Sequence, residues 1–177
     1  MLTLDAKTSM LLVIDFQARL TPAIDGAEAA IANAQRLVRG AEILGVPTLY
    51  TEQYPKGLGP MVPELAPPPD RLIEKTTFDS TRAPGFLDRI PRDGTLVLTG
   101  CEAHICVLQT ALGLIDAGRK IAVVADAVGS RTPESKRHGL ARMEQAGATL
   151  VTTEMVLFEW VADARHPRFR EISALVK

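Results

Sequence analysis

Three side chains in this sequence have the chemistry to cleave a carbonyl compound together: the carboxylate of Asp15, the ammonium of Lys75 and the thiol of Cys106. A carboxylate can take the thiol proton, an ammonium can hold the resulting charges in place, and a thiolate can attack an electrophilic carbonyl. Each also has an ordinary explanation when taken alone. A free cysteine is usually a small buried hydrophobe, an aspartate after a strand often caps the next segment, and a lysine is usually a solvated charge. Whether the three act together depends on where the fold places them.

The elements around them read as follows. Ser9 to Phe16, S-M-L-L-V-I-D-F, is an almost unbroken apolar run, the pattern of a central parallel strand buried on both faces. Asp15 emerges at its carboxyl end, the edge where open α/β sheets bind ligands, so it is a candidate base. Arg71 to Phe78 reads as a third strand with Lys75 near its end. Thr95 to Thr99, bounded by Gly94 and Gly100, reads as a buried fourth strand. From Ile105 onward Leu108, Ala111, Leu112 and Ile115 fall at helical spacing, and Gly118 is a C-cap. A thiol at that helix start meets unpaired N–H groups and the positive end of the helix dipole, which favour thiolate over thiol. The backbone N–H of Cys106, with that of Ala103 or a neighbour in the turn, could form an oxyanion hole.

The remaining segments complete an alternating pattern. Ala27 to Leu44 carries the apolar stripe of an amphipathic helix closed by Gly45, and Pro47 to Thr51 is the second strand. Glu52 to Asp70 holds Pro55, Pro60, Pro63, Pro67, Pro68 and Pro69 and reads as a long loop, either a lid or a decorated connection. Pro84 to Ile90 suits a short helix, Lys120 to Ala125 a fifth strand, Pro133 to Ala146 a helix and Thr149 to Thr152 a sixth strand. Glu154 to Ala162 and Phe169 to Val176 read as closing helices. Strands alternating with helices imply a six-stranded parallel sheet in a three-layer α/β/α, Rossmann-like domain with right-handed crossovers. Residues 1–177 are read as that single domain. No G-x-G-x-x-G follows the first strand and no phosphate-loop motif occurs, so the pattern does not imply a nucleotide binder.

Composition narrows the partners. The formal net charge is -1, and no stretch gathers basic residues with interleaved aromatics, so no footprint for nucleic acid or an anionic membrane is present. No apolar run is long enough to cross a bilayer, and the N-terminal stretch lacks the pattern of a secretory signal. The two cysteines, Cys101 and Cys106, do not form a secreted-type disulfide framework. A reducing, cytoplasmic setting and a small-molecule substrate are expected.

With these residues in place the sequence resembles the isochorismatase-like cysteine hydrolases. The resemblance rests on V-I-D-F-Q (Val13 to Gln17), E-K-T-T-F (Glu74 to Phe78) and G-C-E-A-H-I-C-V-L-Q-T-A (Gly100 to Ala111). Weaker agreement runs through V-V-A-D-A-V-G-S-R (Val123 to Arg131) and the C-terminal H-P-R-F-R-E-I. It covers nearly the whole chain and is strongest toward the isochorismatase domain-containing hydrolases. It implies Asp15 as general base, Lys75 as its charged partner and Cys106 as nucleophile through a thioester. It also implies a cis peptide before the helix, expected at Glu102–Ala103, that aims the oxyanion-hole amides, and a substrate pocket near Phe16, Gln17 and Phe78. Homo-oligomers are common in the family.

Departures from the family narrow the chemistry. Nicotinamidases of this family carry an aspartate and two histidines as metal ligands after the second strand, where this chain reads T-E-Q-Y-P-K-G. His104, His138 and His166 come later without ligand-like spacing, so neither a metal nor another cofactor is expected. His104, two residues before Cys106, is read as structural because the triad already supplies a base. Retention of Cys106 favours attack on an amide, imide, ester or ureido carbonyl. The alternatives are acid/base hydrolysis of an enol ether such as isochorismate, driven by Asp15, and a non-catalytic binding or interaction protein.

Overall fold

The computed structural model describes residues 2–177. Six parallel strands, β1 (Ser9–Ile14), β2 (Thr48–Gln53), β3 (Leu72–Lys75), β4 (Thr95–Cys101), β5 (Lys120–Gly129) and β6 (Thr149–Val151), form one sheet in the order β3-β2-β1-β4-β5-β6. The helices are α1 (Ala27–Leu44), α2 (Pro55–Leu58), α3 (Cys106–Asp116), α4 (Pro133–Gln145), α5 (Thr153–Val161) and α6 (Phe169–Ala174).

After Ser9 the run in β1 is apolar because both its faces are covered. Leu11 and Val13 join the core with Ala34, Leu37 and Ala41 of α1, Leu157 of α5 and Ile172 of α6. Met10, Leu12 and Ile14 point the other way, into a core with Val107, Ala111 and Leu114 of α3 and Met143 of α4. This is the expected three-layer arrangement. The alternation of successive side chains across a strand, combined with helices on both sides, leaves no position for a polar residue in β1 between Ser9 at its start and the strand's end.

The chain runs outward from β1 through β2 to β3, then returns to lay β4 against the other side of β1. That reversal opens a crevice at the carboxyl ends of β1 and β4. Gly100 permits the closest approach there: a Cβ on it would lie 2.2 Å from the Ile14 carbonyl oxygen, and its φ of +144° also disfavours a side chain.

Boundaries differ from the sequence reading in instructive places. Leu72–Lys75 is all that pairs of the expected third strand, because Thr76 to Phe78 leave the sheet toward α3. Pro84 to Ile90 forms only a 3₁₀ turn at Leu87–Arg89. The proline-rich segment contains α2 and short 3₁₀ turns and is tied down by backbone bonds from Ala18 to Pro60, Arg19 to Leu58 and Val62 to Phe16. With Met61, Val62 and Leu65 buried in the core, its second half is an integral part of the fold.

Candidate active site

Asp15 is the first residue after β1 and takes a left-handed backbone conformation, φ 53°. Aspartate tolerates that region better than most residues, and such outliers gather at functional sites. Its N–H still donates to the Thr51 carbonyl at 3.0 Å, which ties the turn to β2. Both carboxylate oxygens are engaged: the Thr51 hydroxyl donates to Oδ1 at 2.7 Å and Lys75 Nζ to Oδ2 at 2.6 Å. The Asp15 and Lys75 side chains are both fully buried. Lys75 Nζ also donates to Gln53 Oε1 at 3.0 Å, and the Cys106 sulfur sits 4.0 Å from that same oxygen. Three strand ends and the start of α3 thus deliver a carboxylate, an ammonium, an amide and a thiol to one buried cluster.

Burial dominates the electrostatics. It raises the Asp15 pKa even though the Lys75 charge and the hydrogen bonds from Lys75, Thr51 and Cys106 oppose it. Burial likewise pushes the Cys106 thiol up to about 12, with the Asp15 charge adding to the rise and Lys75 opposing it. The expected preference for thiolate at the start of α3 is therefore overturned in the resting site: desolvation and a facing carboxylate outweigh the helix terminus. Asp15 becomes a stronger base than an ordinary carboxylate, while the thiol holds its proton. Cys101 is fully buried, and burial raises its pKa as well.

The turn between β4 and α3 corrects two expectations. The cis peptide is Cys101–Glu102, one bond earlier than Glu102–Ala103. β4 continues through Gly100 and Cys101, which pair with Val128 and Gly129, so the cis bond directly follows the last residue of the strand. Ala103 is not available as an oxyanion donor, because its N–H is committed to the Gly129 carbonyl at 2.7 Å. The Glu102 N–H faces the Cys106 sulfur. Among the described residues the Cys106 N–H, at the first position of α3, has no intramolecular acceptor.

The three residues expected around the pocket separate. Phe16 is fully buried in the core beside α1. Gln17 is also buried, and its amide is spent on backbone: Nε2 donates to the Gln53 and Gly59 carbonyls, and Oε1 accepts from the Gln53 N–H. Phe16 is thus committed to packing and Gln17, which also bridges to Met61, to backbone bonding. Phe78 is 51% exposed and borders a surface cleft with Arg82, Gln109 and Leu112. A neighbouring cleft of about 370 Å³ is lined by Lys75, Thr76, Thr77, Arg82 and Tyr54. Cys106 is 6% exposed and lines neither cleft; Lys75, its neighbour in the cluster, is the link between the buried site and the second of them.

Gln53 and Thr51 escaped the sequence reading, which used T-E-Q only for the histidines it lacks. The available signal was polar residues at the carboxyl end of a buried strand adjacent to β1. His104 bonds the Ser130 hydroxyl through Nδ1 at 3.0 Å. Among the described residues no three His, Cys, Asp or Glu side chains are grouped to hold a metal ion.

Fold and site define an open, parallel α/β/α protein with an acid–ammonium–thiol cluster at its switch point. The Isochorismatase domain matches residues 9–155, and the chain belongs to that family of hydrolases. It is 39% identical over 175 residues to isochorismatase domain-containing protein 2 of Danio rerio, a match spanning 98% of this chain and 89% of that protein. Among solved structures it is similar to the MAR1 ribonuclease of Caenorhabditis elegans, with a TM-score of 0.92, 37% identity and coverage of 98% and 92%. It is also similar to the YcaC gene product of Escherichia coli, described as an octameric hydrolase of unknown specificity: TM-score 0.85, 26% identity, coverage of 98% and 96%. Among the described residues no helix is long and apolar enough to cross a membrane.

Proposed function

We propose that the chain is a metal-free cysteine hydrolase that cleaves a small carbonyl substrate, an amide or other C–N bond, through a Cys106 thioester. The observation that carries this reading is the buried Lys75–Asp15 pair facing the Cys106 thiol. Lys75 Nζ lies between Asp15 and Gln53 and donates to both, so a fixed positive charge stands beside the carboxylate.

In the first step the Cys106 proton passes to Asp15 as sulfur bonds the carbonyl carbon, and the carbonyl oxygen becomes an oxyanion. We assign that charge to the Cys106 N–H, which has no acceptor of its own among the described residues, and to the Glu102 N–H beside the sulfur. Collapse breaks the C–N bond, the amine leaves with the proton from Asp15, and a thioester remains. Water then gives a proton to Asp15 and attacks the thioester; the C–S bond breaks, the acid departs and the thiol is restored. A resting thiol near 12 beside a carboxylate of raised pKa suits proton transfer concerted with attack, with no standing thiolate.

The same raised carboxyl supports a second reading, protonation of an enol ether by Asp15 without a covalent step. Cys106→Ala separates the two. Against a panel of small amides, imides, esters, ureido compounds and isochorismate, the covalent mechanism requires loss of turnover in a folded variant and a trapped acyl adduct on the wild-type peptide containing Cys106. Undiminished hydrolysis by the Ala variant would sink it. RNA belongs in the panel because the Caenorhabditis elegans relative is described as a ribonuclease, although a net charge of -1 does not favour a polyanion. We place the protein in a reducing cytoplasm, which keeps both buried cysteines as thiols, and infer a homo-oligomer, supported by the octameric Escherichia coli relative.

A further inference from the structure

We propose that Arg131 is a positioning residue for the nucleophile, acting through Glu102 as the clamp on the turn that carries Cys106. Arg131 follows β5 and immediately precedes Thr132, the N-cap of α4. It gives Glu102 three hydrogen bonds: its N–H and Nε to Oε2 at 3.1 and 3.0 Å, and Nη2 to Oε1 at 2.7 Å. The Glu102 side chain is 4% exposed and the Arg131 side chain 58%, so the carboxylate is held inside the protein by a partner reaching in from the surface. Burial would raise the Glu102 pKa, but the hydrogen bonds and charge of Arg131 outweigh it and hold the carboxyl below its ordinary value.

The backbone of Glu102 is what makes this pair relevant to the reaction. Its N–H faces the Cys106 sulfur, and its carbonyl accepts from the Ile105 and Val107 N–H groups on either side of Cys106, at 3.0 and 3.2 Å. The same turn is held from the β5 side by the Ala103 N–H on Gly129, and α4 presses on it at Gly139, where a Cβ would come within 2.7 Å of the Ala103 carbonyl. A bidentate guanidinium fixes its carboxylate in plane and distance, which an ammonium cannot do. Arg131 therefore sets where the peptide on both sides of the nucleophile sits, without touching the reacting atoms.

This inference rests on Cys106 being the nucleophile, and two readouts keep the two claims apart. One is the rate of Cys106 alkylation by iodoacetamide, followed by mass spectrometry; the other is hydrolysis of p-nitrophenyl acetate. In Arg131→Met, alkylation should rise and kcat fall, each by about fivefold or more, with KM little changed, because a loosened turn exposes the sulfur while misplacing it. Arg131→Lys should fall between, and Glu102→Gln/Arg131→Met should be no worse than Arg131→Met alone, since the pair acts as a unit. Alkylation and kcat within about twofold of wild type in folded Arg131→Met would overturn the proposal. If Arg131→Met does not fold, Arg131→Lys with wild-type rates does so instead. Hydrolysis that survives Cys106→Ala removes the nucleophile reading, whereas the alkylation arm still decides whether Arg131 holds the turn.

Discussion

Lys75 Nζ lies 2.6 Å from Asp15 Oδ2 with neither side chain exposed to water, across a separation of sixty residues in sequence. Removing one member of such a pair strands a charge in the interior. Asp15→Asn and Lys75→Met should each destabilise the fold by about 3–5 kcal/mol, and the double variant should cost less than the sum of the singles. Urea denaturation of the three proteins measures this; additive losses would mean that the pair does not interact as the geometry requires.

Cys106 should alkylate slowly at neutral pH, and its rate should go on climbing well past the ordinary thiol value of about 8.5. The physical cause is burial together with the facing Asp15 carboxylate, which push the thiol up to about 12. Iodoacetamide labelling between pH 6 and 11, read peptide by peptide, tests it. A plateau near or below about pH 8.5 would show that a thiolate stands ready without substrate.

The same shift has a sign in stability. Above the unfolded thiol value of about 8.5 the unfolded chain has released its proton while the folded chain keeps it, so folding weakens as pH rises. The contribution is whole below that value and is lost on the way to about 12. Cys106→Ala should therefore show a shallower decline in stability between pH 8.5 and 10.5 than wild type, measured by denaturant midpoint at each pH.

Gln53 bridges Lys75 Nζ and the Thr76 carbonyl through its two amide atoms. In Gln53→Leu the buried ammonium loses one acceptor, a change worth about 1.5–3 kcal/mol for a hydrogen bond to a charged group. The expected result is a lower denaturation midpoint and slower turnover, while Gln53→Glu retains the acceptor and should recover part of the stability. Equal stability in the Leu variant would place Gln53 outside the site.

Gly139→Ala puts a Cβ 2.7 Å from the Ala103 carbonyl and 2.9 Å from His104 Cα, both backbone atoms of the turn before Cys106. Overpacking of this kind costs about 1–3 kcal/mol, and here the strain falls on the nucleophile turn. Thermal denaturation should register the loss, and Cys106 alkylation should change with it. An unaffected alkylation rate would mean that α4 yields instead of the turn.

Much of this was legible in the amino-acid sequence because it depends on local chemistry. The buried strand before Asp15, the helix Ala27–Leu44 with its glycine stop and the strand–helix alternation follow from periodicity and chain punctuation, which act over a few residues. Periodicity also put Asp15 and Lys75 near strand ends and Cys106 near the junction of a strand and a helix, so the carboxyl edge of a parallel sheet was a place where they could meet.

Tertiary structure decided the rest. Burial of the whole cluster, which reverses the expected ease of ionising Cys106, depends on what packs over the crevice and has no signature in the residues that are covered. Phe16 is buried in the apolar core and Gln17 against the backbone of Gln53 and Gly59, partners distant in sequence that the two side chains do not announce. β4 runs on to Cys101 with β5 extending to Gly129 beside it, and the Gly129 carbonyl commits the Ala103 amide. Arg131 met Glu102 for the same reason: register between neighbouring strands, summed over the sheet, determines which distant loops come within hydrogen-bonding distance.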